Sequence, residues 1–219
     1  MIEAVLFDWN NTLVQFTWDD DLVVAAHAAA LGRDDPEFTA RWREAVLGDV
    51  PKRPYGEILR ELGVGDADAF IDAEHEVWRP AHAVLGSAQA LLDSLRSRGI
   101  KTGIVANSWP DPGRVLRGDV EAFGLTPLLD VIVFSEEVGV SKPSPEIFLH
   151  ALRTIGVEPE AAMYVGDSLA NDVQGAAQVG MTTVQALWFV ADQTPAGVEP
   201  DFMAFTPMDV LNAVRRVAP

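Results

Sequence analysis

Five short apolar runs, separated by helical patterns, are the sequence feature that most constrains the fold. The runs are residues 3–7, 100–106, 130–134, 161–165 and 182–187. Continuous apolar runs of this kind are typical of strands that are buried on both faces of a parallel sheet. Helical patterns follow at residues 87–98, 145–155, 169–179 and 208–217. Because strands alternate with helices, the pattern predicts an α/β protein with a doubly wound, mainly parallel sheet.

One long segment interrupts this alternation between the first two runs. From residue 14 to residue 84 we identify helical patterns and no convincing strand. The helical patterns cover residues 22–31, 37–47, 55–62 and 67–77. The sequence therefore predicts a Rossmann-like catalytic core formed by residues 1–13 and 85–219, with a small all-helical cap domain inserted at residues 14–84.

Composition excludes several classes of function. Hydrophobic residues make up 48% of the 219 residues, which favours a sizeable folded core over disorder. The formal net charge is −17, so we expect no nucleic-acid partner. The chain has no cysteine, which excludes disulfides and thiolate sites. Without a signal-peptide pattern or a membrane-length apolar window, we expect a cytoplasmic protein with no membrane partner, either a monomer or a homodimer.

Polar clusters stand where the predicted strands end. They are residues 8–12, Asn107 with Ser108, the loop that carries Lys142, and residues 167–172. In open α/β sheets the active crevice lies at the carboxyl ends of the strands. Singly, each of these residues fits a turn or a helix cap. Together, they indicate carboxylates that converge at the strand ends. Converging carboxylates repel each other unless a cation such as Mg2+ lies between them. With a lysine nearby, they form a site that suits phosphoryl transfer.

These motifs resemble those of the haloacid dehalogenase superfamily, in its branch with a helical cap inserted after the first strand. The first motif of that family, Asp-x-Asp-x-Thr, is similar to residues 8–12 (DWNNT). Its lysine motif resembles residues 137–148 (EVGVSKPSPEIF), and its last motif resembles residues 165–172 (VGDSLAND). The resemblance covers nearly the whole chain and is weakest in the predicted cap.

The resemblance implies a role for each polar residue of the site. Asp8 is expected to be the nucleophile and to form an aspartyl-phosphate. The backbone carbonyl of Asn10 is expected to hold Mg2+ together with Asp8 and Asp167. Lys142 is expected to neutralise the nucleophile and to bind the phosphoryl oxygens. Asp172 is expected to orient Lys142 or a metal-bound water.

Phosphoryl binding depends on a second set of residues. Thr12 is expected to steady the first loop. The strand-end motif that usually reads Ser/Thr-Asn reads Ala106-Asn107 here, so one hydroxyl is missing. Ser108 is the residue expected to replace it, beside Asn107, unless a backbone amide does so.

Asn10 is the main departure from the family pattern. Phosphatases of the family carry an Asp there, which protonates the leaving oxygen and later deprotonates the attacking water. An amide keeps the shape of the acid but cannot move a proton, so we expect impaired turnover. The same residue would result from a substitution made to trap a substrate.

Two alternatives to a phosphatase remain open. Phosphonoacetaldehyde hydrolase is similar in having Asp-Trp and no second Asp in its first motif, but it needs a cap lysine for a Schiff base. Lys52 is the only lysine between residues 14 and 84. A non-catalytic phosphometabolite-binding protein is the other alternative. Dehalogenation is disfavoured because Gly166-Asp167 keeps the acidic form of the last motif.

The sequence therefore favours a Mg2+-dependent phosphohydrolase that acts on a small phosphorylated metabolite. The predicted cap would close over the site and exclude water. Three aromatic residues are candidates to face the substrate: Phe16, Trp18 and Trp109.

Overall fold

The computed structural model describes residues 1–17, 19–49, 52–189 and 197–217. The chain divides into two compact units. The first comprises Met1–Gln15, Val84–Asn107 and Val120–Pro219, and the second comprises Phe16–Ala83 and Ser108–Asp119. The interpretation of residues 14–84 as a cap for the rest of the chain stays a prediction.

Eight strands occur in the described part of the chain. They are β1 (Ala4–Phe7), β2 (Val14–Phe16), β3 (His82–Val84), β4 (Lys101–Ala106), β5 (Val131–Phe134), β6 (Ala162–Gly166), β7 (Thr182–Ala186) and β8 (Phe202–Ala204). Six of them form a parallel sheet in the order β5-β4-β1-β6-β7-β8. Numbered within the sheet alone, this order is 3-2-1-4-5-6, the order of the Rossmann fold.

Helices connect and flank these strands. They are α1 (Asp20–Leu31), α2 (Pro36–Leu47), α3 (Tyr55–Glu61), α4 (Ala67–Trp78), α5 (Ala88–Arg96), α6 (Gly113–Ala122), α7 (Ser135–Val138), α8 (Pro145–Ile155), α9 (Gln174–Gln178) and α10 (Asp209–Val217). The predicted α/β class with a Rossmann-like parallel sheet is confirmed. The helix predicted at 169–179 begins instead with a π-helical turn, Leu169–Val173, before α9.

The centre of the sheet explains its apolar sequence. All four residues of β1 are fully buried, because β4 and β6 flank the strand and side chains cover both of its faces. One face packs on α8, whose Ile147, Phe148 and Leu152 belong to the same core cluster as Leu6. The first polar residue after β1 therefore lies at the edge of a buried core.

The second unit has its own hydrophobic core, which contains Phe38, Trp42, Phe70 and Trp78. It includes α1 to α4, which the helical patterns predicted. The short strands β2 and β3, which those patterns did not indicate, pair with each other.

None of the helices in the described ranges combines the length and the apolar character needed to cross a bilayer.

Candidate active site

The register of the sheet places two acidic residues at neighbouring strand ends. Phe7, the last residue of β1, pairs with Ile104 of β4 and with Val165 of β6. Asp8 follows Phe7 directly, and its amide donates to the carbonyl of Val165 over 2.9 Å. Asp167 lies two residues beyond Val165. Since β1 and β6 meet where the strand order reverses, both acids lie at the topological switch point, where ligands bind in open α/β sheets.

The loop after β1 is a tight turn that the sequence shapes locally. Asn11 adopts a φ of 56°, in the left-handed region where asparagine is enriched among non-glycine residues. The carbonyl of Trp9 accepts from the amides of Thr12 and Leu13 over 3.4 and 3.0 Å. The indole Nε1 of Trp188 donates to the carbonyl of Thr12 over 2.9 Å, so the region after β7 fixes this loop.

The ammonium group of Lys142 lies at the centre of the site. Its Nζ donates to Oδ1 of Asp8 and to Oδ1 of Asp172, each over 2.6 Å, and to the hydroxyl of Tyr164 over 3.0 Å. Burial alone would lower the pKa of Lys142, but the charges of Asp172 and Asp8 outweigh burial and raise it. The group is therefore a fixed positive charge beside both carboxylates.

The backbone of the lysine loop is also held in place. The side-chain amide of Asn107 donates to the carbonyl of Lys142 over 3.1 Å and accepts from its amide over 2.8 Å. Gly175 permits close packing here, because an added Cβ would come within 2.6 Å of the Phe148 ring and 3.0 Å of Cα of Pro143. These contacts fix the position from which Lys142 reaches the carboxylates.

Asp172 is held at both of its oxygens. Oδ1 accepts from Lys142, and Oδ2 accepts from the amide of Ser168 over 2.9 Å. The π-helical turn Leu169–Val173 directs the carboxylate back toward the strand end. Gly166 makes room for it, since a Cβ there would overlap the carboxyl group of Asp172. Asp172 thus contacts Lys142 directly, and its expected role in orienting that lysine stays a prediction.

Three acidic side chains converge at this point. Ligand oxygens of Asp8, Asp167 and Asp172 all lie within 4.8 Å of one another. Burial raises the pKa of Asp8 to about 6. The charge of Lys142 opposes this rise, and the charge of Asp172 adds to it. Burial and then the charges of Asp8 and Asp172 raise the pKa of Asp167 to about 7. Both acids therefore hold their negative charge poorly without a further cation.

The donor set fits a divalent cation. Three carboxylates and the ammonium of Lys142 carry a formal charge of −2, which one divalent ion would balance. Hard oxygen donors are the ligands that Mg2+ takes in proteins. Because the protein already uses both oxygens of Asp172, Asp8 and Asp167 are the acids better placed to supply ligands.

The contacts of the described residues do not test the roles predicted for the remaining candidate residues. Asn10 is half-buried and its backbone bridges to Val14, while its carbonyl as a metal ligand stays a prediction. Phe16, Ser108 and Trp109 belong to the second unit, so their roles toward the substrate stay predictions. Trp18 lies outside the described residues.

Sequence patterns do not identify two residues that lie next to the site. Tyr164 lies inside a predicted apolar strand, and Trp188 lies beyond the last predicted strand. A signal for Tyr164 was available, because a buried tyrosine hydroxyl in a central strand needs a hydrogen-bond partner. No pattern in the sequence pointed to Trp188.

Comparison with known proteins agrees with this geometry. The family of haloacid dehalogenase-like hydrolases matches residues 2–180. A glyceraldehyde 3-phosphate phosphatase from Methanopyrus kandleri is 29% identical over 100% of this chain and 99% of its own length. A phosphoserine phosphatase from Thermus thermophilus is 33% identical over 75% of this chain and 73% of its own.

A solved structure extends the likeness to three dimensions. The haloacid dehalogenase superfamily phosphatase from Thermococcus onnurineus superposes with a TM-score of 0.75 and 26% identity, covering 97% of this chain and 98% of that one. The chain belongs to the haloacid dehalogenase-like hydrolases and is a hydrolase of the phosphatase type.

Proposed function

We propose that this protein is a Mg2+-dependent phosphatase that transfers the phosphoryl group of a small phosphate monoester to Asp8. The observation that carries the proposal is the pair of 2.6 Å contacts from Lys142 to Asp8 and Asp172. Phosphoryl transfer needs a carboxylate nucleophile beside a fixed positive charge, together with a second acid that binds a metal ion.

Each residue has a distinct task in the first half-reaction. An oxygen of Asp8 attacks phosphorus, the bond to the leaving oxygen breaks, and the leaving alkoxide takes a proton from solvent. Lys142 offsets the negative charge of the nucleophile and of the phosphoryl oxygens, which would otherwise repel each other. Asp8, Asp167 and the carbonyl of Asn10 would hold Mg2+. When bound, Mg2+ supplies positive charge to the phosphoryl oxygens.

The second half-reaction returns Asp8 to its free carboxylate. Water must attack phosphorus, the bond between phosphorus and the Asp8 oxygen breaks, and the proton that the water loses passes to solvent. The amide of Asn10 cannot accept that proton, and it cannot donate one to the leaving oxygen in the first half-reaction. We therefore infer that turnover is slow, and that it is slowest for substrates with a poorly stabilised leaving alkoxide.

The substrate class follows from the relatives and from the charge of the site. The relatives named above act on glyceraldehyde 3-phosphate and phosphoserine. Both are phosphate monoesters of three-carbon metabolites. We propose a small phosphorylated metabolite of this kind as the substrate.

The test is steady-state phosphate release with Mg2+ across a panel of phosphate monoesters, from nitrophenyl phosphate to glyceraldehyde 3-phosphate and phosphoserine. Multiple turnovers that are lost in Asp8→Asn support the proposal. Binding of a phosphorylated metabolite without turnover on any ester would instead support a binding protein. Equal turnover by wild type and Asp8→Asn would rule out Asp8 as the nucleophile.

A further inference from the structure

We propose that Tyr164 is a positioning residue that holds the ammonium of Lys142 against the nucleophile Asp8. The inference rests on the proposed function of Asp8 and Lys142. It adds a residue that lies outside the motifs of the first loop, the lysine loop and the acidic turn. Its basis is a hydrogen-bonded link from the backbone of β4, through the Tyr164 hydroxyl, to Lys142.

The direction of the hydrogen bonds can be read from this link. The hydroxyl of Tyr164 donates its single proton to the carbonyl of Val105 over 2.6 Å. An oxygen lone pair is then available to accept from Nζ of Lys142, which lies 3.0 Å away. Tyr164 lies in β6 and Val105 in β4, the two strands that flank β1. The hydroxyl thus connects both neighbours of the strand that carries Asp8.

The number of donors on the ammonium makes the third contact important. An ammonium group has three N–H donors, and Lys142 has three partners: Asp8, Asp172 and Tyr164. Its side chain is only 2% exposed, so water has little access to replace a lost partner. Removing the tyrosine oxygen would leave one charged donor buried without its acceptor.

Loss of this contact has a specific consequence for the reaction. With two carboxylates as its only strong partners, the ammonium would be free to rotate and to shift between them. Its distance to Asp8 would then vary at the moment when charge must be neutralised. This positioning of the ammonium matters most in the transition state. We therefore expect loss of the contact to lower kcat and to change KM much less.

Phenylalanine isolates the hydroxyl from the rest of the side chain. The ring of Tyr164 packs edge-on against Phe148, with centroids 5.0 Å apart, and the Lys142 ammonium lies 5.5 Å from its centroid. Tyr164→Phe keeps both ring contacts and removes only the oxygen. Tyr55 offers a matched control, since the chain has two tyrosines and both are buried and hydrogen-bonded. Tyr55 accepts from Trp42 and donates to Glu74 in the second unit.

The first experiment measures kcat and KM for nitrophenyl phosphate in wild type, Tyr164→Phe and Tyr55→Phe. The folded fraction of each is measured by circular dichroism. We expect kcat per folded molecule to fall about tenfold in Tyr164→Phe, which corresponds to about 1.4 kcal/mol, with KM within about twofold. Tyr55→Phe should keep the wild-type kcat per folded molecule. A Tyr164→Phe enzyme with wild-type kcat would overturn the proposal. An inactive wild type would instead contradict the proposed function.

The second experiment tests the link to Lys142 whether or not the protein turns over. Unfolding in denaturant is compared for wild type, Tyr164→Phe, Lys142→Met and the double variant. Tyr164→Phe removes the hydrogen bond to the carbonyl of Val105 whether or not Lys142 is present, so this loss cancels in the double-mutant cycle. We expect Tyr164→Phe to lower the unfolding midpoint clearly in the presence of Lys142 and much less in Lys142→Met. Equal effects in both backgrounds would show that the hydroxyl does not act through Lys142.

Discussion

Nζ of Lys142 lies 2.6 Å from Oδ1 of Asp8, although 134 residues separate them in the chain. The contact is buried, and the same ammonium bridges to Asp172. The positive charge that offsets Asp8, the proposed nucleophile, is therefore part of the folded structure itself. Such preorganised charge needs no rearrangement during the reaction, which is why it contributes strongly to catalysis.

Removing the charge of Asp167 should weaken Mg2+ binding. In Asp167→Asn one anionic ligand is lost while the remaining polar groups stay, so we expect the fold to be kept and Mg2+ affinity to fall sharply. Calorimetric titration with Mg2+ measures the change. Asp93→Asn is the matched control, because it removes one negative charge from the exposed surface of α5. Equal affinities for Asp167→Asn and wild type would exclude Asp167 as a ligand.

Restoring the acid at position 10 should raise turnover in a substrate-dependent way. General acid catalysis contributes typically ~10²–10⁴-fold, and an alkoxide leaving group needs it more than a nitrophenolate does. We expect Asn10→Asp to accelerate alkyl phosphates more than aryl phosphates. Asn11→Asp introduces the same charge one residue away and should give no such gain, because its side chain stands at the turn and not at the acid position.

Asn10 should also cause a phosphorylated intermediate to accumulate. With acetyl phosphate the first half-reaction needs little acid assistance, so dephosphorylation becomes the slow step. Intact-mass spectrometry after rapid quenching should find phosphate on Asp8 in the wild type and much less in Asn10→Asp. If the two proteins carry the same amount, Asn10 does not limit the second half-reaction.

Lys52 should not form a Schiff base. It is exposed, and its Nζ lies 5.9 Å from the centroid of the Trp109 ring within the second unit. A Schiff-base lysine works as a neutral amine, which burial promotes and exposure does not. Treatment with phosphonoacetaldehyde and borohydride should therefore leave Lys52 unmodified in peptide mass spectra. A reduced adduct at Lys52 would make a C–P hydrolase the better proposal.

Alanine at position 166 should disrupt the acidic turn. An added Cβ would come within 2.6 Å of Cβ of Asp172 and closer still to its carboxyl group, so Asp172 would have to move away from Lys142. We expect Gly166→Ala to lower kcat and to destabilise the protein by about 1–3 kcal/mol, as overpacking does. Gly118→Ala, in α6 with open space around it, should be neutral or slightly stabilising. Denaturant unfolding and phosphatase assays compare the two variants.

Stability should depend on pH through a buried histidine of the second unit. Burial would lower the pKa of His75, but its ion pair with Asp111 and its hydrogen bond with Asp119 raise it to about 9. Because the pKa of His75 is higher in the folded state, protonated His75 stabilises the fold. This stabilisation is complete below the pKa of about 6.5 in the unfolded chain, and it is lost as pH rises through about 9. Arg79 also contacts Asp119, and His82 stands beside His75.

His75→Gln isolates this contribution. At pH 6 the variant should be less stable than wild type by on the order of 2 kcal/mol, and the difference should shrink as pH is raised past 9. Denaturant unfolding at both pH values measures it. A difference that stays constant with pH would mean that His75 does not carry the extra proton.

Much of the fold follows from local sequence patterns. The run at residues 3–7 reads as a buried strand because β1 has neighbours on both sides and covered faces, so every position must be apolar. The amphipathic pattern of residues 145–155 likewise coincides with α8. The short strand β8 went unpredicted because an edge strand of three residues has too few positions to show a period.

The order of Asp8, Lys142 and Asp167 along the chain, each placed after or between predicted strands, already indicated a phosphoryl-transfer site. Only the tertiary structure shows that Tyr164 and Trp188 contact residues of this site. Tyr164 of β6 contacts Lys142, which lies in the loop between α7 and α8, and Trp188 contacts Thr12 across 176 residues of sequence. Sequence patterns report which face of an element is apolar, whereas contacts between distant side chains depend on strand order and on the rotamers that packing permits.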